Sequence, residues 1–196
     1  RYEKANVSTS ERGKNMKSGY VIGIDAGGTK VAYGLFNPSG ERIDRAQHPT
    51  DVCATGESFS DTLVENIQAI LARNGLCDTD LDGIGICMPS FILFDEGVLL
   101  MTSSIPGIKQ FPMRDYLRAR LNTNIVLDND SNAAALAEYR RGAGKGSKHL
   151  VYITAGTGLG SGIIIDGRLF RGSYGWAGEC GHMLATPDEG LMCGCE

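Results

Sequence analysis

Three things are scarce in this chain of 196 residues, and each scarcity removes a class of function. No stretch approaches the roughly 18 uninterrupted apolar residues of a membrane-spanning helix, so no membrane partner is expected. Basic residues are not in excess. The 19 Lys and Arg against 23 Asp and Glu leave a formal charge of −4, no field for a polyanionic duplex, so nucleic acid is not expected as a partner. No signal-peptide pattern opens the chain, where Arg1 to Ser18 are polar and charged. Residues 1–19 therefore read as a leader or disordered tail, with Met16 a candidate native start. The six cysteines read as reduced thiols of a cytoplasmic protein, and Cys193 and Cys195 as a metal-binding pair before a disulfide. With 42% hydrophobic and 21% charged residues the composition is that of an ordinary globular protein. Glycine is the residue in excess, 27 of 196, and it is clustered.

The glycine clusters sit between β-rich runs. Residues 20–25 and 31–36 flank Ala26-Gly27-Gly28-Thr29-Lys30, a strand, turn and strand; Asn37-Pro38-Ser39-Gly40 then turns into a third strand near 41–48. From Ser58 to Asn74 the apolar residues Phe59, Leu63, Ile67, Ile70 and Leu71 recur at helical spacing, with Ser or Asp to cap the start and Gly75 to end it. A buried strand at 83–88 stops at Pro89, a helix follows Pro112 over 111–121, and a strand at 124–128 delivers Asn129, Asp130 and Ser131 to the head of an alanine-rich helix, 132–141. In open α/β folds that edge is where ligands bind. Strand, glycine turn and strand then recur at 150–154, Ala155 to Gly162 and 163–166. This repetition implies two α/β lobes of one plan, 20–130 and 131–196, the second reading as incomplete.

Two glycine turns offer backbone N–H groups to phosphate oxygens without a Cβ in the way, and they are equally two tight hairpins. Dinucleotide and P-loop patterns fail on spacing: Ser161 stands where the third glycine of the first belongs, and Gly146 follows Lys145 where the second needs Ser or Thr. Asp25, beside the first turn, suits a phosphate-bound Mg²⁺, while Thr29 and Thr157 can donate to phosphate. Of Asp128 and Asp130, one carboxylate need face the cleft, to accept a proton from an attacking hydroxyl; Asp130 equally suits a helix N-cap.

Taken in order, Asp25-Ala-Gly-Gly-Thr-Lys30, Leu127-Asp-Asn-Asp-Ser-Asn132, Gly156-Thr-Gly-Leu-Gly-Ser-Gly162, Ala177-Gly-Glu-Cys-Gly-His182 and Cys193-Gly-Cys195 resemble the signature of the ROK family of repressors and sugar kinases. The resemblance implies an actin-like, ribonuclease-H-like ATPase fold and ATP-dependent phosphorylation of a hexose or N-acetylhexosamine. It makes Asp130 the general base at the sugar 6-hydroxyl, and Asn129, Glu179 and His182 partners of ring hydroxyls. Asp25, Gly27, Gly28, Thr29, Lys30, Gly156, Thr157 and Gly158 would serve ATP and Mg²⁺. His182, Cys193 and Cys195 would be three of four ligands of a structural Zn²⁺. Two departures bear on the sugar: Ile86-Cys-Met-Pro-Ser90 replaces a Gly-x-Pro-Gly, and Ser104 stands where the family often has a sugar-contacting asparagine, and would reach the sugar through water. Cys180 is expected only to pack, and Cys53, Cys77 and Cys87 are assigned no role. A homodimer would be ordinary for the family. The alternatives are a sugar-sensing regulator lacking its DNA-binding domain, and a non-catalytic fragment.

Overall fold

A computed structural model describes residues 19–156 and 158–183 of the chain. Its centre is a five-stranded mixed sheet in the order β3-β2-β1-β4-β8. Strands β1 (Tyr20–Ala26), β2 (Lys30–Phe36) and β3 (Arg42–Pro49) form an antiparallel meander. Strand β4 (Leu81–Met88) runs parallel to β1, and β8 (Ile125–Asn129) parallel to β4. The carboxyl ends of β1, β4 and β8 therefore lie side by side, in register as Asp25 opposite Cys87 and Cys87 opposite Asp128.

One face of this sheet is closed by helix α1 (Gly56–Arg73), which buries the expected apolar positions Phe59, Leu63, Ile67, Ile70 and Leu71 against Ile22, Ile24, Ile84 and Ile86. The helix starts two residues before the expected Ser58. Its cap is Thr55, whose hydroxyl accepts the Ser58 N–H while the Ser58 hydroxyl accepts the Thr55 N–H, a capping box that moves Ser58 to the third helical position. The helix expected over 111–121 is only α2 (Met113–Arg118), because residues 109–111 are already committed to a strand.

That strand belongs to a small antiparallel sheet that sequence periodicity missed: β5 (Ser90–Leu93), β6 (Val98–Thr102) and β7 (Lys109–Phe111). Its strands are three to five residues long, too short for an alternation to stand out. The turn between β5 and β6 uses Gly97 at φ +68°.

Helix α3 (Asp130–Arg141) then leads to a second antiparallel sheet of β9 (Leu150–Ala155), β10 (Leu159–Ile165) and β11 (Arg168–Leu169). The helix starts at Asp130, two residues earlier than expected, and β10 begins at Leu159, four residues earlier. The second glycine turn is thereby shortened to Gly156–Gly158. Gly160 and Gly162 are strand residues, and their lack of a side chain serves packing: a Cβ on Gly162 would stand 2.5 Å from the Ala135 Cβ and 2.6 Å from the Ser131 carbonyl, and one on Gly160 would run into the Ser131 hydroxyl. Gly156, by contrast, has open space around it. Strand glycines here admit a helix at close range. The change Gly162→Ala should cost about 1–3 kcal/mol of stability, as overpacking does. Chemical denaturation checks it, with Gly156→Ala, where nothing stands within 4 Å of the added methyl, losing less.

Candidate active site

The site is assembled at the strand ends and at the head of α3. Asn129, the last residue of β8, is the N-cap: its side-chain oxygen accepts from the Ser131 and Asn132 N–H groups at 2.8 and 3.3 Å, and its amide donates to the Ser90 carbonyl at 3.3 Å. The cap expected at Asp130 thus belongs to its neighbour. Asp130 is the first helical residue; one of its oxygens accepts from Ser131 N–H at 2.8 Å, and no described group hydrogen-bonds the other. Burial pushes its pKa above the usual carboxylate range, opposed by the Ser131 N–H and reinforced by the charge of Asp25.

Asp128, the other carboxylate of the triplet, is fully engaged. Its Oδ1 accepts from Asn129 N–H at 2.9 Å and from the Asn132 amide at 3.0 Å, and its Oδ2 meets the Arg171 guanidinium at 2.6 Å. Of the two carboxylates, then, Asp130 is the one open to a ligand.

A cavity of about 430 Å³ lies between the two sheets, lined by Asp25, Cys87, Asp130 and Ser131, by the alanines 133, 134 and 137 of α3, and by Tyr152 and Thr154 of β9. It runs from Asp25, two residues before Gly27, to Thr154, two residues before Gly156, so the loops after β1 and β9 approach one space. In the first turn Gly27 N–H donates to the Lys30 carbonyl, and Thr50 ties the turn down through its hydroxyl to the Gly27 carbonyl at 2.6 Å. Ser104 sits over the same turn: a Cβ on Gly28 would come 3.3 Å from its hydroxyl. Thr157, Cys193 and Cys195 lie outside the described residues, and with them the zinc proposal except for His182. Among the described residues no three His, Cys, Asp or Glu side chains are grouped to hold a metal.

Glu179 and His182 come from a segment pressed onto β10. Ser161 donates to the Gly178 carbonyl at 2.6 Å, and Gly178, at φ +97°, passes so close to β10 that a Cβ would stand 2.5 Å from the Ser161 carbonyl. Only glycine suits that conformation and that contact. Glu179 lies 3.7 Å from the His182 ring; burial raises its pKa, the His182 charge opposes this, and Asp130 adds to it. Phe91 approaches His182 at 6.1 Å and Trp176 edge-on at 5.3 Å.

Cys87, which has no role in the sequence reading, lines the cavity and stands in register between Asp25 of β1 and Asp128 of β8. Burial, with the charges of Asp25, Asp130 and Asp128, pushes its thiol up to about 12, so it stays protonated. Its place in β4, opposite Asp25 in β1, is the signal that could have found it. No spacing could have found Arg171, which is 43 residues from its partner.

A mixed sheet with this strand order, with a carboxylate at a helix head in the cavity that Asp25 also lines, has the actin-like ATPase fold. A ROK family glucokinase from Streptomyces griseus, solved in complex with glucose and AMPPNP, superposes with a TM-score of 0.77 at 37% identity over 90% of this chain and 54% of its own. The chain belongs to the ROK family, which matches residues 21–196. A glucokinase of Halalkalibacterium halodurans is 34% identical over 180 residues, 92% of this chain and 54% of that protein. A xylose repressor of Bacillus spizizenii is 31% identical over 182 residues, 92% of this chain and 46% of that protein. The chain thus spans about half the length of the relatives it matches. Among its described residues no helix is long and apolar enough to cross a membrane.

Because the folded Asp130 carboxyl holds its proton more tightly than the unfolded one, folding favours the neutral form. That contribution is present below the unfolded value of about 3.9 and is lost as pH rises through the folded value. The Asp130→Asn variant should therefore melt at a higher temperature than the parent at about pH 8, the gap closing toward about pH 3. Thermal scans across that range measure it; a variant less stable at the upper pH would contradict the burial.

Proposed function

We propose that the protein transfers the γ-phosphoryl group of ATP to a hydroxyl of a hexose or N-acetylhexosamine, the 6-hydroxyl, with Asp130 as general base. The observation that carries this reading is the Asp130 carboxylate. It is fixed at the helix head by one oxygen, has the other unpartnered among the described residues, and faces the cavity it shares with Asp25. Its raised pKa brings proton affinity closer to neutrality, the direction a general base needs.

Phosphoryl transfer is catalysed mainly by orientation and charge neutralisation. The roles follow from that requirement. Gly27, Gly28, Thr29 and Lys30 on one side, and Gly156, Thr157 and Gly158 on the other, hold the phosphates. Asp25 supplies an oxygen for the Mg²⁺ that accompanies ATP and offsets its charge. Asn129 keeps one amide hydrogen beyond its bond to Ser90 for a ring hydroxyl; Glu179 and His182 take others, and Ser104, close to Gly28, reaches the acceptor through water. A thiolate and imidazole set of His182, Cys193 and Cys195 has the chemistry of a structural zinc site, which would hold the His182 ring in one orientation.

A sugar-responsive regulator is the second reading, favoured by the xylose repressor among the relatives. One assay separates the two. ADP release by the full-length protein, screened with glucose, N-acetylglucosamine, N-acetylmannosamine, mannose, fructose and allose, should rise with one sugar, glucose first. Binding without turnover across the panel would select the regulator. In the kinase, Asp130→Asn should lower kcat on the order of 10²- to 10⁴-fold while sugar affinity by calorimetry holds. Normal turnover in that variant would remove the assigned base.

A further inference from the structure

We infer that Arg171 is a positioning residue for the transfer: its guanidinium, reaching over from the segment after β11, saturates the Asp128 carboxylate and through it fixes the chain that carries Asp130. The inference rests on the kinase reading above.

Arg171 places both Nη2 and Nε on Asp128 Oδ2, at 2.6 and 3.2 Å, and its Cζ lies 3.6 Å from the centre of the Phe94 ring. The pair is shielded, with the two side chains 27% and 16% exposed, so it is screened less than a surface ion pair. Three parts of the fold meet there: β8 of the central sheet, the β5–β6 turn, and the chain that leaves the second sheet. A carboxylate has about four lone-pair sites. Arg171 fills those of Oδ2, while Oδ1 takes the Asn129 N–H and the Asn132 amide. Those last two bonds go to the residue before Asp130 and the residue two after it. The carboxylate is therefore a bracket around the helix head, and Arg171 is what holds the bracket still.

Stacking on Phe94 restricts the guanidinium, and its planar fork fixes the carboxylate more tightly than a point charge would. Without it, Asp128 is a half-buried charge restrained from one side only, free to turn and take the first turn of α3 with it. Asp130 has a single anchored oxygen, on Ser131 of that same turn, so its free oxygen moves with the helix head. This also accounts for the division of labour within Asp128-Asn129-Asp130. The first carboxylate has every acceptor site occupied and cannot take a proton from substrate without breaking the bracket.

The experiment is a double-mutant cycle on the full-length protein: Arg171→Met, Asp128→Asn and both together, with ATP and the sugar turned over best by the parent. Each single change should lower kcat on the order of 10- to 100-fold, with both KM values held within about threefold, the signature of a misplaced base rather than a lost contact. The double variant should be no worse than the poorer single, because both remove one interaction. Arg171→Lys, which keeps the charge and loses the fork, should fall between parent and Arg171→Met. Additive losses would overturn the inference, as would a raised KM for ATP at unchanged kcat, which would make Arg171 a phosphate contact. Should Arg171→Met lose its cooperative thermal transition, Arg171→Lys decides: reduced kcat at unchanged melting temperature supports the positioning role, and parental kcat overturns it. A parent that binds sugar and transfers no phosphate overturns the kinase reading and this role together; a parent that turns over while the cycle is additive overturns this role alone.

Discussion

Helix α3 lies against β10 at a distance that side chains would forbid. Gly160 and Gly162 leave the strand bare where Ser131 and Ala135 come down on it, and the alanines of the helix keep its flank thin where it borders the cavity. This close approach ties the two sheets together. The same helix begins at the end of β8, so one short element is capped by the central sheet and packed on the second. The space between the sheets, and the direction in which Asp130 projects into it, both follow from that contact.

The electrostatics of the space follow from the parallel register of β1, β4 and β8. Parallel neighbours bring like ends together, and here those ends carry Asp25, Cys87 and Asp128, with Asp130 one step beyond. Clustered carboxylates repel, and burial makes this worse. The structure relieves Asp128 by an arginine from the segment that follows β11, leaves Asp25 beside the first glycine turn, and keeps Asp130 partly desolvated. A protonated thiol fills the middle of the row, where a further charge would add to the repulsion. In its ionised form the buried Asp130 carries a local cost in stability. Around it side chains tie down the backbone: the Asn129 cap, the Thr50 bond to the Gly27 carbonyl and the Ser161 bond to the Gly178 carbonyl.

Much of this was legible beforehand. Strands β1 to β4, β8 and β9, helix α1 and helix α3 announced themselves through apolar periodicity and turn residues, within a few positions at each end. The glycine, aspartate and histidine motifs carried the family resemblance. The failures have physical reasons. The β5–β7 sheet was missed because strands of three to five residues carry almost no pattern. Gly160 and Gly162 look like loop in the sequence and are strand in the structure, because a glycine-rich string looks the same whether it frees the backbone for a turn or clears room for a helix. Asn129 takes the helix cap that Asp130 equally suits in the sequence, since both side chains fit the task and only the path of the chain leaving β8 selects between them.

Sequence by itself determined the carboxylates, the glycine turns, the longer strands and helices, and the ROK family to which they belong, because residue type and short-range spacing are local properties of a chain. Tertiary structure alone decided how those residues divide the work. That Asp128 is bound and Asp130 open, that Cys87 faces the cavity, and that Arg171 reaches across 43 residues to hold the first of these depends on which strand ends and helix flanks meet in space. Such meetings are set by sheet register and by the packing of α3 on β10, which no local pattern records.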